Sequence, residues 1–370
     1  MADLARDNFE RAGLVWEKVT TVVGLACLTR EGDKITVSRW KVAYCAVILS
    51  ISLIFTFLRI LVEPIDRKRS VAYFVYFITV CNSLCCSAAI IGLTIYNRER
   101  DAANLQEMRR LRRRYNLRGC RSMWSYFPPS FIIPCLTIVG ENIYFAVVSP
   151  IPISPLTFTS YFFSIYNFIL YGNIHFHLSM VKDGFSRLNG NLKELETKAS
   201  TGNRERVLLE LRGLRSMHHE FFECFSRSER LLSSRIILSI GYNFVNCVLF
   251  TFYGFIDGLR VTWRFSPLTE WVTAFYWAVC CFFGLYVMIL PFERIREQAH
   301  LSVIAIQSLS TRSGYSSSFY NELLLFSSQI ILDDVEFGPN DFLNMNKRML
   351  LSAFGAVTSS LTILLQMWQG

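Results

Sequence analysis

"LSAFGAVTSSLTILLQMWQG", residues 351–370, decides the class of fold. The run 349–368 holds 20 residues without a charge, the length of helix that crosses the apolar core of a bilayer. Small and polar residues interrupt it at regular intervals. Ser352, Gly355, Ser359, Thr362 and Gln366 are spaced three, four, three and four apart, which puts all five on one helical face. A helix surrounded by lipid has no use for such a stripe. A helix beside water, or beside a copy of itself, does.

The rest of the chain fits a membrane setting. Of its 370 residues 52% are hydrophobic, 15% aromatic and only 18% charged, whereas soluble domains carry roughly 25% charged residues. The 31 Phe against 10 Pro and 19 Gly exclude a low-complexity or disordered chain. Six further stretches, 40–62, 71–97, 126–148, 156–181, 236–256 and 271–292, are each long and apolar enough to span. Glu141 is the lone charge in the third, and Lys41 and Arg59 stand near opposite ends of the first, where they can snorkel. Residues 1–39 are polar and carry both signs of charge, so no cleavable leader is expected and the first span directs insertion.

Lys and Arg orient the spans. Segments 1–39, 98–125, 182–235 and 293–348 hold 31 of them, and the intervening loops hold five. The positive-inside bias places the N-terminus in the cytoplasm and the C-terminus outside. The net charge of +9 is thereby a matter of topology, and no nucleic-acid partner is needed. The expected fold is an all-α membrane protein with seven transmembrane helices, N-terminus cytoplasmic, C-terminus extracellular, and long cytoplasmic helical extensions. Residues 1–39 form a cytoplasmic segment, 40–181 the first four spans, 182–235 helical extensions, 236–292 spans five and six, 293–348 a cytoplasmic helical segment and 349–370 the last span. The 182–235 segment reads as two amphipathic helices broken at "ASTGN", with Val207, Leu208, Leu211, Leu214, Met217 and Phe221 forming a stripe that needs a partner. Breaks are also expected at "STRSGYSSS" and "GPND".

Reactive groups give little support to catalysis. "HHEFFE" (218–223) sets His219 and Glu223 four apart but lacks the second helical His and third ligand of a metal site, so it reads as a solvated face. "RRLRRR" (109–114) reads as a topology signal in contact with anionic lipid. His175 and His177 read as bonded within the bundle. No phosphate loop, nucleophile elbow or paired carboxylates occur, so no enzyme, cofactor or metal is expected. No cysteine falls in an outside loop, so no structural disulfide is expected, and there is no N-glycosylation acceptor.

Glu141 is the exception, because an ionisable group inside a span faces a cavity or a partner. With Tyr76, Tyr144, Tyr166, Asn167, Asn246, Tyr253 and Trp277 in the outer halves of the spans, it makes a candidate outward-opening pocket with apolar walls and a few polar fixing groups. Each aromatic residue taken singly also fits an interfacial belt.

The last helix then invites comparison with a known pattern. In the insect gustatory receptor family, relatives of the insect odorant receptors, it carries Thr-Tyr, five mostly apolar residues and Gln-Phe. Here the stretch is Ser359-Ser360, "LTILL", Gln366-Met367. The blocks "EFGPNDFLNMNKRMLLSAFGAVTSS" and "SMHHEFFECFSRSERLLSSRIILSIGYNFVNCVLFTFYGF" and the inverted seven-span topology also resemble that family. The resemblance implies a ligand-gated, non-selective cation channel in the plasma membrane of gustatory receptor neurons. It implies a tetramer of this chain, alone or with other gustatory receptor subunits, and a small-molecule tastant. Ser359, Thr362, Ile363, Gln366 and Met367 line its pore, with Ile363 as a constriction that closes by dewetting. Tight packing of the last helix against neighbours is the other reading of the stripe. Sugar-receptor relatives keep an acidic residue after Thr-Tyr where this chain has Leu361. An aromatic pocket suits bitter plant compounds, with a sugar-gated member as the alternative. A seven-span receptor or transporter that is not itself a channel is the rival. It meets no inverted repeat and none of the Asp-Arg-Tyr or Asn-Pro-x-x-Tyr patterns of G-protein-coupled receptors.

Overall fold

The computed structural model describes residues 27–31, 34–62, 70–117, 155–199, 204–259, 265–311, 317–333 and 345–369. Among them are the strands β1 (Leu28–Glu31) and β2 (Lys34–Val37) and eight helices. The helices are α1 (Arg39–Val62), α2 (Ser70–Tyr96), α3 (Arg98–Arg114), α4 (Pro155–Ala199), α5 (Arg204–Leu259), α6 (Phe265–Ser310), α7 (Ser317–Leu332) and α8 (Lys347–Gln369). Within these residues α2, α5, α6 and α8 are long and apolar enough to cross a membrane. The third expected span, with Glu141 and Tyr144, lies outside the described residues.

Sequence explains why α4, α5 and α6 are so long. The 56 residues of α5 make a rod of about 84 Å, nearly three times the thickness of a bilayer core. Its first half is charged through Arg235, and no charge follows from Ile236 to Ile256. One continuous helix therefore has an ionic half and an apolar half. In α6 the change falls near Pro291 and Glu293. Helix α5 is also the hub, touching α2, α3, α4, α6, α7 and α8.

Helix α3 continues α2 with one residue between them. Asn97 donates its N–H to Leu93 O and accepts from Asp101 N–H, both at 2.9 Å. Glu99 and Asp101 in the first turn and Arg112, Arg113 and Arg114 in the last match the helix dipole. At the end Asn116 adopts a φ of 46°. Asn116 N–H then bonds Arg113 O at 3.3 Å and Leu117 N–H bonds Arg112 O at 3.1 Å, a helix stop that satisfies orphan carbonyls. Along its length α3 runs antiparallel to α5. Asp101 meets Arg235 at 2.6 Å, Asn104 Nδ2 donates to Ser228 Oγ at 3.1 Å, and Arg114 meets Glu220 at 2.7 Å. The basic run 109–114 thus begins about 18 Å beyond Asn97, the end of the apolar run. Within it Arg114 pairs with Glu220 and Arg110 with Glu107.

The all-helical expectation fails at the hairpin. Strands β1 and β2 pair antiparallel, Leu28 opposite Val37 and Glu31 opposite Lys34. Thr29, Ile35, Thr36 and Val37 suit a pleated surface. Ser38 N–H donates to Cys27 O at 2.9 Å, and the Lys41 ammonium donates to Leu28 O, tying the hairpin to the start of α1. Four-residue strands are too short for their periodicity to register.

The amphipathic stripe finds its partner. Val207, Leu211, Leu214, Met217 and Phe221 are buried, with Leu208 half-buried. They share a core with Phe185 and Leu188 of α4, Ile306 and Leu309 of α6, and Phe319 and Leu323 of α7. Burying each such side chain is worth roughly 1.5–3 kcal/mol. Phe221 lies so close to α4 that a Cβ on Gly184 would stand 2.4 Å from its ring. His218 is fully buried between Phe185 and Phe326, with ring centroids 5.5 and 5.7 Å away. Burial outweighs the pull of Asp333, 3.6 Å off, and pushes the imidazole down to about 4. On α4, burial pushes the Asp183 carboxyl up to about 6. Arg235, 4% exposed, is held by Asp101; losing one partner of such a buried pair costs about 3–5 kcal/mol.

Two outcomes are expected. Gly184→Ala should lower the melting temperature in detergent, a loss of about 1–3 kcal/mol. Gly190→Ala on the same helix, where an added Cβ meets nothing within 4 Å, should be neutral or slightly stabilising. The second concerns pH. Below about pH 6.5 the unfolded chain protonates His218 before the folded one does, so this contribution to stability falls as the pH drops toward 4. Asp183 keeps its proton up to about pH 6 only in the folded chain, so its contribution grows as the pH drops through the same range. The two oppose each other. Relative to the parent chain, Asp183→Asn should lose stability between pH 6.5 and 4.5 and His218→Leu should gain it, each by on the order of 2 kcal/mol, read from melting curves across that range.

Candidate functional site

Helix α8 has two unlike faces. Leu350, Ala353, Val357, Leu361 and Leu364 recur every three or four residues and turn toward the bundle. There Val357 packs with Cys247 and Val248 of α5 and with Ala278 and Cys281 of α6. On the other face Ser352, Gly355, Ser359, Thr362 and Gln366 are all exposed. Ile363 is 56% and Met367 76% exposed beside them. Only 6% of the apolar window of α8 is buried, against 50% in α5 and α6. One copy of the chain therefore covers one side of this helix and leaves the striped side bare.

Local bonds shape that bare face. Ser352 Oγ donates to Arg348 O at 3.3 Å, Thr358 Oγ1 to Phe354 O at 2.8 Å and Thr362 Oγ1 to Thr358 O at 2.9 Å. Each hydroxyl spends its proton on its own helix, so its lone pairs remain for water or a cation. The start of α8 is fixed differently. Lys347 N–H donates to Glu293 Oε1 of α6 at 2.8 Å, and Lys347 Nζ donates to Glu297 Oε1 at 3.4 Å. Asn346 Oδ1 accepts from Met349 N–H at 3.1 Å as the N-cap. Polar groups of α6 thus hold the first turn, and apolar side chains pack along the remainder of that face.

Four of the eight pocket residues have described side chains. Asn167 on α4 and Asn246 on α5 are buried, and Tyr253 and Trp277 are half-buried. Tyr76 and Tyr166 lie on α2 and α4 with side chains outside the described residues, as are Glu141 and Tyr144 altogether. Asn246 Oδ1 accepts from Asn82 Nδ2 at 3.2 Å, and the same amide donates to Tyr242 O at 3.3 Å, joining α2 to α5. Ser239 Oγ stands 3.1 Å from Tyr171 Oη and 3.4 Å from Asn167 Oδ1 and donates to one of them, joining α5 to α4. Asn243 Nδ2 donates to the Tyr171 oxygen and to Ser239 O. Gly284 of α6 closes the group, since a Cβ there would lie 3.1 Å from both Asn243 Oδ1 and the Tyr171 ring. Trp277 stacks on Phe250 at 6.2 Å.

Tyr171, Ser239, Asn243 and Gly284 were not among the candidates. Their signal was there: Ser239, Asn243 and Asn246 are spaced four and three apart on an apolar helix, and Asn167 and Tyr171 four apart. The nine described cysteines carry free thiols. His219 lies exposed between Glu223 and Asp333 at 3.6 and 3.5 Å, and His177 Nδ1 bonds Asn173 O within α4 at 2.7 Å.

Among curated proteins none matches the chain at a significant level. The solved insect olfactory receptor OR5 from Machilis hrabei shares the fold, with a TM-score of 0.54 at 10% identity over 97% of this chain and 99% of that one. The structure of the same receptor in complex with eugenol aligns at a TM-score of 0.49 and 12% identity, covering 99% of both chains. The family model of the 7tm chemosensory receptors matches residues 18–368. With a family match over nearly its whole length, this chain belongs to the 7tm chemosensory receptor family.

Proposed function

We propose that this chain is a gustatory receptor, a tastant-gated non-selective cation channel in the plasma membrane of chemosensory neurons. The observation that carries this reading is the bare, polar-striped face of α8. Four copies around an axis bring those faces together. Ser359, Thr362 and Gln366 then present oxygens to water and ions, and Ile363 with Met367 forms an apolar constriction. Seven spans with a cytoplasmic N-terminus put the charged halves of α4, α5 and α6 in the cytoplasm, where their exposed faces hold subunits together.

The ligand enters from outside among Tyr76, Glu141, Tyr144, Tyr166, Asn167, Asn246, Tyr253 and Trp277. An apolar, aromatic-lined site favours a bitter plant compound over a sugar. Such a ligand opens the channel only by binding the open arrangement more tightly than the closed one. Helix α8, held by polar bonds at one end and by sparse apolar contacts along the rest, is the element with least to lose by moving.

Outside-out patches from cells expressing the chain, bathed in bitter compounds and sugars with no nucleotide in the pipette, should carry a prompt cation current. Gln366→Ala should change unitary conductance or block, and Ile363→Ser should raise the unliganded current severalfold. Both sites are exposed in one copy, so melting temperature should hold. A current of unaltered conductance in Gln366→Ala would remove that residue from the pore. Alanine at Trp277 or Glu141 should instead shift ligand potency by about tenfold, worth about 1.4 kcal/mol, at unchanged conductance.

A further inference from the structure

Cys27 immediately precedes β1, and Cys45 lies in the second turn of α1. They are 18 residues apart in sequence, and their sulfurs stand 3.8 Å apart. Both are enclosed, at 2% and 0% exposure. The contact is built by the hairpin, because Ser38 N–H holds Cys27 O and Lys41 holds Leu28 O, so the strand cannot leave α1 without breaking both bonds. We propose that Cys27 and Cys45 form a reversible disulfide, closed by a peroxide and reopened by thiols, that fastens the hairpin to the first helix.

Geometry makes the bond accessible. A disulfide needs about 2.05 Å between sulfurs, so the pair must close by roughly 1.8 Å, within the reach of side-chain rotation and a small shift of the hairpin. Adjacent pairs such as Cys85–Cys86 and Cys280–Cys281 lie in helices and diverge around the axis.

The environment selects an attacking sulfur. The bond from Cys45 favours the thiolate at Cys27 and draws that thiol below its ordinary value; burial opposes this, Arg98 and Arg235 assist, and Asp101 resists. In the first step the Cys27 thiolate attacks one oxygen of hydrogen peroxide. The O–O bond breaks, Cys27 becomes a sulfenic acid, and the departing hydroxide takes a proton to become water. In the second step the Cys45 sulfur attacks the Cys27 sulfur, the S–OH bond breaks, and the Cys45 proton leaves with the hydroxide as water. Two thiols and one peroxide give one disulfide and two waters, the two electrons passing from sulfur to oxygen. A thiol reductant reverses the result by exchange through a mixed disulfide.

That Cys27 faces the cytoplasm and Cys45 the adjoining end of the first span rests on the orientation proposed above; the chemistry does not. In a reducing cytoplasm the resting form is the dithiol, and a burst of peroxide would close it.

The test uses the full chain in lipid nanodiscs. The folded protein is treated with hydrogen peroxide, the remaining thiols are alkylated, and the protein is digested with trypsin without reductant. The expected result is that the peptides spanning residues 19–30 and 42–59 appear joined before any other cysteine is oxidised. Dithiothreitol should separate them, and the joined form should melt at a higher temperature. In Cys45→Ser the second step is blocked, so dimedone should label Cys27 as its sulfenic acid. Recovery of the two peptides separately alkylated, after peroxide has oxidised other cysteines in the same sample, overturns the proposal, as does joining only after the protein has been unfolded. Neither readout requires a ligand or a current, so failure here is distinct from failure of the channel reading.

Discussion

A helix in lipid gains nothing by burying apolar side chains against another helix, because the lipid is as apolar as the helix. That constraint divides this protein. In the charged halves of α4 and α5, Phe185, Leu211 and Phe221 pack with Phe326 of α7 into an enclosed core. In the apolar halves that packing continues, as at Ile169, Leu170, Leu285 and Met288, and fitted polar groups join the helices as well. Asn82 pairs with the buried Asn246, and Ser239 with Tyr171 inside the bundle, and Gly284 supplies the space the second pair needs. Helix α5 belongs to both halves as one continuous rod.

The boundary between the halves is marked by Arg235 and Asp101. Neither charge is welcome in an apolar bundle, and each is tolerated because the other is 2.6 Å away. The pair also fixes the register of α3 against α5. Arg114 then meets Glu220, well beyond the apolar end of α2. The arginine run at 109–114 consequently belongs to the charged half as a structural element.

Helix α8 stands apart from this scheme. Among the described residues it shows none of the inter-helix polar pairs that join α2, α4 and α5, and its fixed point is the first turn, where Glu293 receives the Lys347 N–H. A helix fastened at one end and lightly packed elsewhere can tilt or translate without disrupting the bundle. The hydroxyls of Ser352 and Thr362 on its outward face are bonded to their own backbone.

The sequence by itself determined the helical, membrane-borne character of the chain, because charge depletion and unbroken apolar length leave few alternatives. It also determined the stripe on α8 and the stripe at Val207–Phe221, since a helical period is a property of spacing alone. The hairpin lay below the reach of any period, four residues to a strand, and only the closure from Cys27 to Ser38 reveals it. Tertiary structure likewise decided which polar residues in the spans meet. Asn167 and Asn246 were legible as unusual in an apolar run, but Tyr171, Ser239 and Gly284 become their companions only when α4, α5 and α6 pack in one register. The proximity of Cys27 and Cys45, and of Glu293 and Lys347, has the same origin: contact between residues far apart in the chain is set by how rods pack, which local spacing does not encode.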